Sequence, residues 1–319
     1  MWVFKDASYH FLSLRRRAYV VSATFIAAGI VSILLHGGLR AGVDFTGGSL
    51  VQVRFEESTT VGEIRDVVES AGFSRGGAQI QGFGSENEYL IRVQAVEEEI
   101  GEGGAAQLEE ALAAAYGEGG FEVARVEAVT PKVGSELQVK ATYAILLSFL
   151  LTLIYLAFRF EWRFGVAAVV ATVHDILVTF GFISLLNVEI TLATVAAILT
   201  IVGYSLNDTI VVFDRVRENL TKKRKERYVE TLNRSINETL PRTVLTSGTT
   251  LVALLALYIL GGAVIRPFAL VLIMGIIVGT YSSIFVASPA LLEIQDRWGD
   301  GGARKKRKKS DKKPSAVPV

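Results

Sequence analysis

The 319-residue sequence contains no cysteine, which excludes disulfides and thiolate-held metal while saying little about compartment. It also lacks a phosphate-binding glycine loop, a nucleophile motif and a metal-spaced cluster of ligands, so an enzyme is not expected. Net charge is nearly absent, since 33 basic and 32 acidic residues leave +1, a total that becomes informative only when divided by segment. The decisive scarcity is local. Charge almost vanishes from six stretches of about 18 residues or more, the length that crosses a hydrocarbon core of about 30 Å. With half the residues apolar, this pattern predicts a polytopic membrane protein and excludes a soluble enzyme, a disordered chain and a secreted disulfide scaffold.

The spans are read at Ala18–His36, Ala141–Phe158, Gly165–Leu186, Ile190–Phe213, Val244–Leu260 and Phe268–Ser288. Backbone groups in lipid must pair within their own segment, so each span is expected to be a helix. The first follows Arg15, Arg16 and Arg17 in the manner of a signal peptide, but it lacks a convincing small-residue cleavage site and is read as an uncleaved helix. Basic residues set the orientation. The N-terminus, the loop after the second span, the segment 214–242 and the tail from Glu293 together hold 24 of the 33 basic residues. Both termini are therefore expected in the cytoplasm. The domains read off in this way are an N-terminus at 1–17, a first span at 18–36, an outer domain at 37–140, a five-helix bundle at 141–292 and a basic disordered tail at 293–319.

The outer segment carries 8 basic and 18 acidic residues, a balance of −10. Val51, Val53 and Phe55 alternate with Gln52 and Arg54 as in a half-buried strand. Thr60 and Glu63 have capping-box spacing ahead of the apolar face Ile64, Val67 and Val68. Residues 78–83 and 89–93 read as strands around a turn, 104–116 as an Ala-rich helix and 121–129 as a strand. The order β-α-β-β-α-β predicts an extracytoplasmic α+β domain of ferredoxin-like type between the first two helices. No ligand motif stands out there, which favours a binding or lever role over chemistry.

On the inner face, Val229, Leu232, Ile236 and Leu240 have helical spacing and predict a short helix lying on the membrane surface. The tail from Gly301 is a run of like charge that repels itself and is expected to be disordered, with attraction to anionic lipid or ribosomal RNA as the alternative.

Ionisable groups at lipid depth are functional candidates by default. Asp208 lies in the fourth span after Asn207, about 9 Å in depth from Asp214 at 1.5 Å per residue. The fifth span opens with Pro241 in its expected first turn, and Arg242, Thr246 and Thr249 or Thr250 share a face that is expected to turn away from lipid. Asp208 and Arg242 sit on consecutive antiparallel helices. Low dielectric favours a neutral carboxyl and a nearby guanidinium favours an ionised one, so a changing separation would load or release a proton. A static ion pair that fixes register, or no contact at all, are the other readings. His174 and Asp175, near mid-membrane, either extend a proton path or lock two helices together. Ser148, Thr152 and Thr172 read as packing. In the sixth span Gly275, Gly279, Ser283 and Ala287 recur every four residues, a spacing that serves close packing within the chain or against a partner. Six spans with one large outer loop look like half of a two-half transporter. No repeat is evident within the sequence, so the other half would be a separate protein.

These residues carry a family resemblance. Gly42-Val43-Asp44-Phe45-Thr46-Gly47-Gly48 is similar to the Gly-Val-Asp-Phe-x-Gly-Gly signature of the SecF family. Residues 201–209 resemble the family's fourth-span motif, and Arg242-Thr243 with Thr246-Ser247-Gly248-Thr249-Thr250 resembles its fifth-span motif. The resemblance runs in order and spacing from the first span to about residue 292 and leaves the tail uncovered. It implies a stand-alone half of a resistance-nodulation-division architecture in a bacterial cytoplasmic membrane. The expected partners are SecD, the SecYEG channel, SecA, YajC, translocating unfolded polypeptide and membrane lipids, with no nucleic acid. The implied activity is use of the proton-motive force to draw polypeptide outward after ATP-driven insertion, with protons as coupling ion and no cofactor. By position, Asp208 and Arg242 match proton-path residues, and Gly42, Gly47 and Gly48 with Asp44 and Phe45 imply tight turns at a hinge. Two rival classes remain. A proton-driven exporter of lipids or small molecules would need a larger outer domain with an apolar cleft. A non-transporting scaffold would have no need of Asp208.

Overall fold

The structure, a computed structural model, describes residues 7–73, 78–83, 87–93, 103–222 and 226–298. A 3-10 turn (Phe11–Leu14) leads into α1 (Arg15–Leu35), followed by a one-turn α2 (Val43–Thr46). Then come β1 (Gly48–Phe55), α3 (Val61–Ser70), β2 (Ala78–Gly82), β3 (Glu88–Val93), α4 (Gly103–Tyr116) and β4 (Phe121–Val129). The rest of the chain is helical: α5 (Pro131–Arg159), α6 (Trp162–Leu185), α7 (Leu192–Lys222), α8 (Tyr228–Leu260), α9 (Gly262–Ser282), a π-helical turn (Ser283–Ala287) and α10 (Ser288–Trp298). Among the described residues, six helical segments are long and apolar enough to cross a membrane, beginning with α1 and continuing with α5 to α8 and the run from α9 through α10.

Between the first two of these lies a four-stranded antiparallel sheet of order β2-β3-β1-β4. Val51, Val53 and Phe55 of β1 and Ile91 and Val93 of β3 meet Ile64 and Val68 of α3 and Leu108 and Leu112 of α4 in one buried cluster. Each such side chain contributes about 1.5–3 kcal/mol by leaving water. The capping box is complete: the Glu63 N–H donates to Thr60 Oγ1 at 3.3 Å, and the Thr60 N–H donates to Glu63 Oε2 at 2.8 Å.

Small residues decide how the helices meet. The buried positions of α1 are Ala18, Ser22, Gly29 and Ser32, which recur at helical spacing along one face. A Cβ on Gly29 would lie 2.5 Å from Gly181 Cα, so the two helix backbones touch at that crossing. On the other side of the bundle, a Cβ on Gly275 would strike Ile201 and one on Gly279 would come within 2.9 Å of Ser205 Cβ. Ser283 and Ala287 continue that face and are fully buried. The four-residue repeat of the sixth span thus packs α9 against α7 of the same chain.

Three inner-side expectations are corrected. The segment 229–240 is no separate surface helix, because α8 runs unbroken for 33 residues and α7 for 31, about 50 and 46 Å at 1.5 Å per residue. Both exceed a hydrocarbon core of about 30 Å and extend beyond it. Leu232, Ile236 and Leu240 join Phe213, Val216, Leu291 and Leu292 in a protein core rather than facing lipid. Arg215 Nε donates to Glu238 Oε2 at 2.6 Å and Asn219 Nδ2 to Ser235 Oγ at 3.0 Å, tying the two extensions together. Pro241 accordingly sits inside α8, where its missing N–H removes the helical bond to the Asn237 carbonyl. The segment expected to be a disordered tail begins as helix, since α10 runs on to Trp298, Ile294 is buried and Trp298 meets the Trp162 ring edge-on. The basic run from Gly301 lies outside the described residues, as do residues 223–225 of the basic segment.

Candidate functional site

Three groups of residues hold the polar chemistry of the bundle. Asp208 projects from α7 and is 3% exposed. Its hydrogen-bond partner is Ser247 of α8, whose Oγ lies 3.5 Å from Asp208 Oδ2, a long contact. Ser247 is bound more firmly to Thr280 Oγ1 of α9 at 2.7 Å, and Tyr204 OH lies 3.5 Å from both Ser247 Oγ and Thr250 Oγ1. The hydroxyls of Thr209, next to Asp208 in sequence, and of Thr243, one turn before Ser247 on α8, are buried without a hydrogen-bond partner among the described residues. Among the described residues Asp208 is held by one hydroxyl, loosely.

Asp175 of α6 is held tightly. Its Oδ1 lies 2.8 Å from His174 Nδ1, and its Oδ2 accepts from Ser205 Oγ of α7 and from Ser282 Oγ of α9 at 2.7 Å. His174 Nε2 continues to Ser22 Oγ of α1 at 3.0 Å, and Ser22 to Tyr281 OH at 3.3 Å. Tyr281 OH in turn donates to the Ala18 carbonyl at 2.9 Å. This chain of bonds joins α1, α6, α7 and α9, every ionisable member partnered. Ser205 and Asp208 are one turn apart on α7, so the two carboxyl groups belong to adjacent layers of the same interior.

Arg242 makes no ion pair with Asp208 among the described residues, although its charge lies close enough to act on that carboxyl. Its side chain is exposed, as is that of Thr249, with Thr246 half-buried. The inward face of α8 is instead Thr243, Ser247 and Leu254. At about 100° per residue, a displacement of one position turns a predicted stripe onto the neighbouring face. Asn207 is exposed as well, in a groove of about 640 Å³ that it lines with Ser148, Thr152 and Tyr155 between α5 and α7. The sequence pattern missed Ser205, Ser247 and Ser282 as partners of the acids. Single serines in apolar helices carry no directional signal until a second helix faces them.

The glycine motif builds a joint outside the bundle. Gly42 is extended and precedes α2, and its N–H donates to the Ile190 carbonyl at 2.8 Å while Ile190 N–H donates to the Arg40 carbonyl at 2.8 Å. A Cβ at Gly42 would meet Thr191 Cγ2 at 2.9 Å, so glycine permits this approach. Gly47 and Gly48 have φ of +76° and +135°, backbone that L side chains resist. Phe45 is buried with Ala141 of α5 and Val195 of α7. Asp44 Oδ2 accepts from the Leu192 N–H at 2.8 Å and so caps the first turn of α7, the helix that carries Asp208 about 24 Å further along.

Comparison with known proteins matches these features. Residues 108–297 fit the model of the family described as protein export membrane protein SecD/SecF, C-terminal, and residues 32–59 fit the SecD/SecF GG motif. The protein translocase subunit SecF of Gemmatimonas aurantiaca is 48% identical over 302 residues, covering 93% of this chain and 90% of that relative. The crystal structure of SecDF, a translocon-associated membrane protein from Thermus thermophilus, is similar with a TM-score of 0.81 at 40% identity, covering 93% of this chain and 40% of that one. A crystal structure of SecDF in its super-membrane-facing form gives a TM-score of 0.69 at 39% identity, covering 98% of this chain and 41% of that one.

Proposed function

The chain belongs to the SecF family of protein translocase subunits, and on that premise we propose that it couples proton movement through its bundle to late steps of Sec-dependent protein export. It is a multi-pass bacterial membrane protein, and the small-molecule exporter reading is not favoured, because its relatives are named as translocase subunits. The proposal places both termini in the cytoplasm and the sheet, as a ferredoxin-like domain, on the outer face. It takes protons as the coupling ion, with no cofactor.

The observation that carries this reading is the contrast between the two acids. A carboxyl group that gains and loses a proton must be free to change partners, and Asp208 has one long hydrogen bond whereas Asp175 is fully engaged. Asp208 is accordingly assigned the proton-carrying role, with the unpaired hydroxyls of Thr209 and Thr243 as neighbours in the path. The His174–Asp175 pair is assigned the role of a lock. Because α7 is capped by Asp44 of the glycine motif, a shift of α7 would be felt at the base of the outer domain. One proton crossing about 100 mV releases about 2.3 kcal/mol, enough to bias a domain swing and too little to unfold a stable cargo. The protein is thus a lever acting on chain that is already unfolded.

Asn207 is exposed on α7 beside the weakly covered α5, and Arg242 and Thr249 are exposed on α8, which supports a partner at these surfaces, since polar groups at lipid depth do not remain in hydrocarbon. A SecD-like protein is the proposed occupant, in keeping with the fused SecDF relative. Arg242 would then act on protons at the seam between the two proteins. SecYEG, SecA and YajC are the further proposed partners of the assembly.

The test is Asp208→Asn in cells that depend on this protein. Late export, measured by release of a periplasmic reporter, should fall to the level of a deletion, while a SecD-like partner still co-purifies. Wild-type release from the variant would refute the reading.

A further inference from the structure

Glu189 sits in the short loop between α6 and α7, is 8% exposed and faces two arginines. Arg40 belongs to the linker between α1 and the outer domain, and its Nε is 3.4 Å from Glu189 Oε1. Arg92 belongs to β3 of the outer sheet, and its Nη1 donates to Glu189 Oε2. We propose that the Arg92–Glu189 contact is a releasable latch that holds the outer sheet against the membrane bundle and opens in each export cycle. The proposal rests on the reading of the chain as a proton-driven export subunit.

Besides the direct run of β4 into α5 through Thr130 and the approach of Phe83 to Gly262, the attachment has two polar parts of different character. The backbone bonds between Ile190 and the linker at Arg40 and Gly42, with the Asp44 cap on Leu192, fasten the linker and not the sheet. A sheet turning about Gly47 and Gly48 at one end and the β4–α5 junction at Thr130 at the other would leave those bonds intact, so they form a pivot. Arg92 sits on the sheet itself and must move with it. A swing that lifts the sheet therefore breaks Arg92–Glu189 while the pivot persists.

The chemistry around Glu189 suits repeated opening. Removing one partner from a buried ion pair normally strands a charge. Here Arg40, whose side chain is 39% exposed, stays beside Glu189 when Arg92 departs. Glu189 Oε1 has no hydrogen bond in the closed arrangement and is free to accept one from Arg40. Arg92 Nε is also buried without a partner, so closure leaves both sides incompletely satisfied and the latch shallow.

The absence of native cysteine makes the test direct. Arg92→Cys and Glu189→Cys are introduced together, the complex with its SecD-like partner is assembled in membrane vesicles, and the pair is bridged with a reducible bis-methanethiosulfonate reagent. Bridging after assembly separates the result from folding. Proton-driven export should fall to the level of Asp208→Asn when bridged and return on reduction to the rate of the unbridged double variant. A bridged complex that exports as fast as the unbridged one, while Asp208→Asn is inactive, overturns the latch alone. An unbridged double variant as slow as the bridged form also overturns it, because the contact would then be a fixed strut. Undiminished export by Asp208→Asn overturns the underlying reading, and the latch with it.

Discussion

Two aspartates on facing helices were visible in the sequence as rare charges in apolar runs, but their different surroundings were not. Asp175 accepts from two serines on other helices and pairs with His174, whereas Asp208 has a single distant serine. An asparagine at 175 would place an amide where an oxygen now accepts, leaving a buried group mispaired. Asp175→Asn should destabilise the purified protein by about 1–3 kcal/mol, read as a lowered Tm, whereas Asp208→Asn should leave Tm nearly unchanged. Equal shifts would remove the distinction between lock and carrier. Arg242 shows the limit of reading a stripe from spacing. Positions 242, 246 and 249 do share a helix face, but which face turns inward depends on the partners of α8, and Thr243 and Ser247 are the ones that α7 and α9 cover. Sequence spacing fixes which residues are neighbours and not the rotation of the helix.

Helices and strands were more legible than their ends. The alternation at 51–55 and the capping box at Thr60 led directly to β1 and α3, because both rest on local rules of period and hydrogen bonding. The long α7 and α8 were cut short, since polar residues such as Arg215 and Glu238 read as loop until they are seen to pair with each other. The α1–α6 seam was also hidden, because Gly29 and Gly181 lie far apart in sequence and nothing local shows that the small-residue face of α1 meets α6. That seam is sensitive to volume. Gly29→Val would push a branched side chain into the α6 backbone, where a Cβ alone lies 2.5 Å from Gly181 Cα. The expected loss is about 1–3 kcal/mol or more. Thermal unfolding in detergent should show it, and an unchanged Tm would mean that the two helices part more easily than the contact suggests.

The chain as a whole is an unevenly covered bundle. Helices α6 to α9 supply the surroundings of the acids, while the apolar stretch of α5 is almost entirely uncovered. Asn207, on the flank between α5 and α7, fits a surface that another membrane protein closes. A cysteine placed at Asn207 should react with a membrane-permeant maleimide in the isolated chain and be protected when the SecD-like partner is present. Equal labelling in both states would put the partner elsewhere. Joined to this flank, the glycine motif links the first turn of α7 to the base of the sheet, so one helix touches both the acid and the joint. The account therefore centres on proton passage that depends on Asp208. Its most direct measurement is lumenal pH in proteoliposomes containing the chain with its SecD-like partner, engaged with a translocating polypeptide under an imposed proton gradient. The wild type should carry protons inward as polypeptide moves and Asp208→Asn should carry none, whereas equal flux through both would contradict the account.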